Sequence, residues 1–137
     1  MATFNKINTF AKAVAEKVHN LASDSLKVAL TAAANAPVAT NTQLSNLTEI
    51  SYTNCSARGI TTTSSTQSSG TYKLVLADLV LTASGTVGPF RYVVLYNDTA
   101  TNKELIGWYD YGSDITLASG ETFTIDFDNV NGVFTIA

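Results

Sequence analysis

The sequence predicts a mainly β domain, built of antiparallel sheets closed as a sandwich or barrel, with one N-terminal amphipathic α-helix. Three observations carry this. First, the 137 residues are 45% hydrophobic and only 14% charged. A chain of that size and balance can bury a core without disulfide or metal, whereas disorder needs few apolar residues and much charge. Second, from residue 26 onward short apolar runs alternate with Gly, Asn, Ser and Asp clusters, the pattern of strands joined by turns. Third, the apolar residues before that point recur at intervals of three and four.

In chain order, Phe4, Ile7, Phe10, Ala11, Val14, Ala15, Val18 and Leu21 form the helical stripe, with Lys6, Lys12, Glu16 and Lys17 largely off it. Thr3 is placed to cap the start, and Asn20 with Ser23–Ser25 to stop the helix, so the expectation is a helix over about residues 4–20. Leu26–Thr31 alternates Leu26, Val28 and Leu30 against Lys27, Ala29 and Thr31, a half-buried strand. A long polar connection with Pro37 follows, from Ala32 to about Leu47, and loops of that length are usually functional or mobile. Ile50–Thr53 reads as a short strand, Gly59–Thr66 as a β-branched one, and Ser64–Gly70 as loop-like. Thr71–Thr82 reads as one central strand bulged near Asp78. Phe90–Tyr96 and Glu104–Tyr111 read as hairpin partners across Asn97–Asn102. Ile115–Leu117 is a separate short strand. Glu121–Phe127 and Val133–Ile136 close the chain around Asn131–Gly132, a strong hairpin signal because both residues tolerate positive φ. No linker or internal repeat divides residues 1–137, which are expected to form a single domain, about 4–20 helical and about 26–137 β.

Composition excludes several functions. The net charge is −3, from 8 basic and 11 acidic residues, and no Lys/Arg cluster occurs. Nucleic-acid affinity comes largely from neutralising phosphates, so DNA and RNA are not expected partners. No stretch approaches the ~20 apolar residues of a membrane span. The start lacks the continuous apolar run of a secretory signal, so synthesis in a cytoplasm without export by this N-terminus is expected. The low charge suits a protein that packs against copies of itself or a fixed partner, and suits ordinary β-sandwiches equally.

Catalytic chemistry finds little support. A nucleophilic triad needs a base beside its nucleophile. The one histidine, His19, falls near the end of the predicted helix, where the dipole favours it structurally. The one cysteine, Cys55, has no base nearby in sequence and forms no intrachain disulfide. A zinc site draws on several His, Cys or carboxylate ligands. Asp110 with Asp114 and Asp126 with Asp128 are pairs better read as solvating strand ends and turns. The run Asp126–Gly132 resembles part of a calcium loop, but its Gly stands seventh and position twelve is Ala137, where a bidentate Glu is required. Gly85–Gly88 leads into a strand and not a helix, so it is no phosphate loop. No enzyme activity, cofactor or metal is expected. Tyr92, Tyr96, Trp108, Tyr109 and Tyr111 on adjoining strands offer a stacking surface for sugars or an interface anchor, against the plainer reading that they fill the core.

Several segments carry a resemblance. Phe10-Ala-Lys-Ala-Val-Ala-Glu-Lys-Val-His-Asn20, Ser25–Thr31, Ala36-Pro-Val-Ala-Thr-Asn41 and Leu47-Thr-Glu-Ile50 do so in the first part of the chain. Ser69–Leu76, Gly88-Pro-Phe-Arg-Tyr-Val-Val-Leu-Tyr-Asn-Asp98 and Leu105-Ile-Gly-Trp-Tyr-Asp110 do so most closely. Together they resemble a group of small virion proteins of tailed bacteriophages and prophages, over nearly the whole chain. The resemblance implies a head decoration, or cement, protein on the capsid surface, held by the major capsid protein and by its own copies, a trimer being one option. A tail, tail-tube or baseplate component is the first alternative and a carbohydrate-binding module the second. It implies no catalytic residues. The residues expected at an interface are Phe4, Ile7, Phe10 and Val14 of the helix stripe, Pro37 of the long connection, and Trp108 and Tyr109.

Overall fold

The computed structural model describes residues 2–137. In chain order the elements are β1 (Phe4–Lys6), α1 (Phe10–Ala15), β2 (Leu26–Thr31), 3-10 turns at Ala33–Asn35 and Leu44–Asn46, β3 (Gly59–Ile60), β4 (Thr62–Ser68), β5 (Thr71–Leu76), β6 (Leu79–Thr82), β7 (Val87–Asn97), β8 (Leu105–Leu117), β9 (Thr122–Ile125) and β10 (Phe134–Ile136). They pair antiparallel in a five-stranded sheet of order β1-β8-β7-β2-β3, a three-stranded sheet β10-β5-β4 and a two-stranded sheet β6-β9. The mainly β, antiparallel prediction is met.

The β7–β8 hairpin is the centre of the molecule, joining Val93 to Tyr109 and Val94 to Trp108. On its other edge β7 takes β2, with Leu30 opposite Val93 and Ala29 opposite Val94. Both faces of these strands are interior: Ala29, Leu30, Val93 and Val94 are fully buried. The expected half-exposure of β2 is therefore too open, since Ala29 and Thr31 are covered as well. One face of the five-stranded sheet meets the other sheets through aromatic contacts. Tyr109 stands 6.0 Å from Phe127, Phe90 5.2 Å from Phe123, and Phe4 5.9 Å from Phe134, ring centre to ring centre. Aromatic pairs at such separations add to the energy of plain burial.

The predicted N-terminal helix over residues 4–20 is corrected. Residues 4–6 are a strand, and the helix is confined to Phe10–Ala15. The reason lies across the chain, at Gly107. Phe4 pairs with Tyr109 and Lys6 with Gly107, and a Cβ at residue 107 would overlap the Phe4 ring. The missing side chain lets β1 lie on the sheet edge, and Ile7 extends it by donating its N–H to the Ile106 carbonyl (3.1 Å). A stripe at spacing three and four buries Phe4 and Ile7 about as well on a strand edge as on a helix, and the tertiary contact decides. The helix has no side-chain cap at Thr9, and Thr3 lies outside it. It ends in a Schellman motif: Val18 N–H donates to Ala13 O (2.8 Å) and Lys17 N–H to Val14 O (3.2 Å). Lys17 takes the left-handed conformation (φ 65°) that glycine ordinarily fills.

Other boundaries move for local reasons. Thr71–Thr82 is two strands in different sheets, because the chain leaves the ladder at Ala77, whose N–H goes to Thr61 O (2.9 Å), and at Asp78, whose Oδ1 accepts the Phe127 N–H (2.9 Å). Ile50–Thr53 is not a strand: Tyr52 Oη accepts the Leu30 N–H (2.9 Å) and Ile50 N–H donates to Leu30 O (3.0 Å), replacing the missing neighbour of β2. Ile115–Leu117 continues β8, and Ser64–Ser68 belongs to β4. Asn131–Gly132 makes no hairpin. The Asp128 carboxylate accepts the Val130 and Asn131 N–H groups and Gly132 turns at φ 78°, but β9 pairs with β6 and β10 with β5, so the turn carries the chain between sheets. The long connection is tied down, with Ala39 O accepting from Asn8 N–H (2.9 Å) and Thr42 O from Leu105 N–H (3.0 Å). No helix among the described residues is long and apolar enough to cross a membrane.

Candidate interaction surface

The residues expected at an interface separate into two groups. Ile7, Phe10, Pro37 and Tyr109 are buried in the chain's own interior, where they hold the N-terminal segment, the long connection and β8 in place. Most of their surface is spent on the fold, Phe10 keeping one edge toward a groove between α1 and β10. Phe4, Val14 and Trp108 are half-buried and pack against the core. The tyrosines do not assemble into a stacking platform. Tyr92, Tyr96 and Tyr109 are buried, Tyr111 leans on Phe123 with ring centres 5.1 Å apart, and Trp108 stands on the opposite face of β8 from Tyr109.

One surface open to a partner lies around α1 and β10. A groove of about 390 Å³ runs between them, lined by Phe10, Ala11, Val14, Phe134 and Ile136, with Lys6 at its border. A second, of about 400 Å³, lies on the far side of Val14 and Ile136, against Tyr72 of β5 and the His19–Ala22 segment. The two share Val14 and Ile136 as a common wall, and Ile136 is 39% exposed. β1 and β10 are the outermost strands of their sheets on this side, so each presents one unpaired backbone edge. Lys6 and Lys17 border these grooves and Lys12 lies on the same helix; all three are exposed, and among the described residues Lys12 makes a loose contact to Glu16 at 3.8 Å. Phe134, Ile136 and Tyr72 went unnoticed in the sequence as groove residues. Ile136 carried a faint signal, an apolar side chain on a short last strand with no predicted cover.

The charged residues elsewhere serve the fold. Arg91 grips Asp110 in a two-pronged ion pair (2.7 and 3.0 Å), and Gly112 N–H also donates to Asp110 (2.8 Å). The guanidinium holds this carboxyl below the usual carboxylate range. Asp114 accepts the Ala33 N–H (3.0 Å) and so anchors the start of the long connection. Asp98 sits between Lys103 (2.9 Å) and Lys27 (3.1 Å). Asp128 is a turn residue, held low by the Asn131 and Val130 donors. Of the two carboxylate pairs of the sequence, Asp110, Asp114 and Asp128 are thus engaged by donors of the fold, and Asp126 is exposed. Burial pushes the Cys55 thiol up, away from the reactive thiolate. No group of three or more His, Cys, Asp or Glu side chains among the described residues is arranged to hold a metal ion.

His19 is only 7% exposed and lies beyond the helix, which ends at Ala15, so it is not at the helix end where the sequence placed it. It packs on the Phe10 ring at 5.5 Å and meets the buried Asn97 side chain, 3.0 Å from Nδ1. Asn97 reaches on to Asp24 (2.6 Å). Burial lowers the His19 pKa, with Glu104 and then Asp24 pulling the other way. Among the described residues the His19 Nε2, Glu104 Oε2 and Thr31 Oγ1 atoms are buried without a hydrogen-bond partner. Comparison with known proteins adds no relative: no family model, curated protein or solved structure matches this chain.

Proposed function

We propose that this chain is a structural virion protein of a tailed bacteriophage, a head decoration protein that stabilises the capsid by protein–protein contact. We read its sheets as a sandwich and its copies as a homo-oligomer on the major capsid protein. The observation that carries the reading is the α1–β10 surface, where an apolar groove and a second, mixed one share a wall beside the unpaired edges of two sheets. Such a surface suits a partner that supplies an extended strand for the edge and apolar side chains for the groove. A stable contact needs roughly 1,200–2,000 Å² in total, and many copies at symmetric positions make a modest contact collectively strong. The residue resemblance in Ser69–Leu76, Gly88–Asp98 and Leu105–Asp110 supplies the class of assembly.

The test is quantitative proteomics of purified particles together with purified tails. The reading expects copies in the hundreds per particle, all with heads. A copy number of zero or a handful removes it, and recovery with tails alone transfers the same surface to a tail component.

A further inference from the structure

The chemistry left over after the fold is accounted for gathers at His19. Asn97 fixes it. The Asn97 Oδ1 accepts backbone N–H groups from Thr99 (3.0 Å) and Ala100 (3.2 Å), which can only donate. Its Nδ2 therefore faces the other way, donating to Asp24 Oδ2 (2.6 Å) and toward His19 Nδ1 (3.0 Å). A flipped amide would set NH₂ against two N–H donors and its oxygen against a carboxylate, so the orientation is forced. It follows that Nδ1 of His19 is an acceptor, that the ring is neutral, and that its proton is on Nε2. That Nε2–H has no partner among the described residues, and Glu104, close enough to act on the ring electrostatically, holds a buried oxygen, Oε2, that also has none among them.

We propose that His19 is an acid-sensitive latch, which as a neutral ring bonds the 17–24 segment to Asn97 at the end of β7 and on protonation gives up that bond for its carboxylate neighbours, shifting the segment. A second proton must go to Nδ1, and an N–H there points at the Asn97 NH₂. The bond is lost and cannot be regained by turning the amide. The charged ring is drawn instead to its carboxylate neighbours, Asp24 on its own segment and Glu104 on the β7–β8 connection. Asp24 Oδ2 also holds the Asn20 N–H (2.8 Å), so a shift there moves the segment. The other titratable groups lining the same groove are Lys17 and Tyr72. Because His19–Ala22 forms one wall of that groove, a shift of the segment would change its shape. The latch rests on the His19–Asn97 geometry, and only its bearing on docking rests on the proposed function.

The sign follows from burial. The folded pKa of His19 lies below the unfolded value of 6.5. Above 6.5 both states are neutral and the latch contributes fully. As pH falls from 6.5 toward the folded pKa the unfolded chain binds more protons, and the folded-to-unfolded ratio drops by up to about tenfold per pH unit.

Imidazole ¹⁵N NMR on the purified protein reads this directly, because His19 is the only histidine. The expected result at pH 7.5 is the tautomer with bare Nδ1 and protonated Nε2, titrating below 6.5. Amide exchange in residues 17–24 and 97–104 should quicken in step with it. Asn97→Asp, which sets a carboxylate against Nδ1, should raise the midpoint by a unit or more. Glu104→Gln should lower it, and remains informative if the buried Asn97 variant does not fold. A ring protonated on Nδ1 at pH 7.5, a wild-type midpoint at or above 6.5, or unchanged exchange across the titration would overturn the latch. None of these measurements involves a capsid, so the latch and the proposed function can fail separately.

Discussion

Gly107→Ala tests why the N-terminus is a strand. A Cβ at residue 107 would overlap the Phe4 ring and stand 2.5 Å from the Asn5 carbonyl oxygen. Carbon atoms settle at about 3.5–4.0 Å, so the ring must move by about an ångström or more. It has little room, lying against Tyr109 and Phe134. Two responses are open. The sheet edge can strain in place, which for overpacking costs about 1–3 kcal/mol. Alternatively β1 can come off the edge, exposing Phe4 and the fully buried Ile7, at up to about 3–6 kcal/mol for two side chains. The cheaper response sets the cost, so we expect a loss of about 1–3 kcal/mol. For a domain between the usual small and large sizes that is a fall in melting temperature of about 3–15 °C. Urea unfolding followed by Trp108 fluorescence gives the free energy, since Trp108 sits opposite Asn5. Amide exchange at residues 4–7 reports whether β1 has left. Adding Phe4→Ala removes the ring overlap, so the double variant should be more stable than the sum of the single losses by about 1 kcal/mol. A Gly107→Ala protein within 0.5 kcal/mol of wild type, with residues 4–7 still protected, would refute the reasoning.

Two further substitutions follow. Lys17→Gly should stabilise the protein by about 0.5–1 kcal/mol in urea midpoint, because a non-glycine left-handed residue costs about 1–2 kcal/mol and glycine's extra unfolded freedom returns only part of that; a loss of stability would mean that the Lys17 side chain, and not its backbone, matters. Tyr52→Phe should cost about 1–3 kcal/mol at unchanged m-value, since it leaves the Leu30 N–H without an acceptor in a fully buried residue, and a neutral result would show that another acceptor replaces Oη.

The sequence made the strands of the core legible because their signal is local. Phe90–Tyr96 and Glu104–Tyr111 are apolar on both faces and flank a turn-rich loop, which is all a central hairpin requires. The antiparallel class followed from the same alternation and from the spacing of turns. What it could not show were contacts made across the chain. Phe4 and Ile7 satisfy a helical period and a sheet edge alike, and the deciding feature is an absent side chain a hundred residues away at Gly107. Asn131–Gly132 reads as a hairpin by its own chemistry, yet Asp128 takes the donors and the strands on either side join different partners. The candidate surface was half visible. Val14 was named from the stripe, whereas Phe134 and Ile136 meet it only because β10 pairs with β5. His19 read as a helix-end residue, since nothing near it in sequence announces Asn97 or Glu104.

The central claim is that this molecule works through the surface it presents beside α1 and β10. A reconstruction of the intact phage particle tests it most directly. The account predicts this fold repeated at symmetric positions on the outside of the head, with Val14 and Ile136 covered by a neighbouring chain. A particle without it, or with it bound by some other face and both grooves open to solvent, would contradict the account.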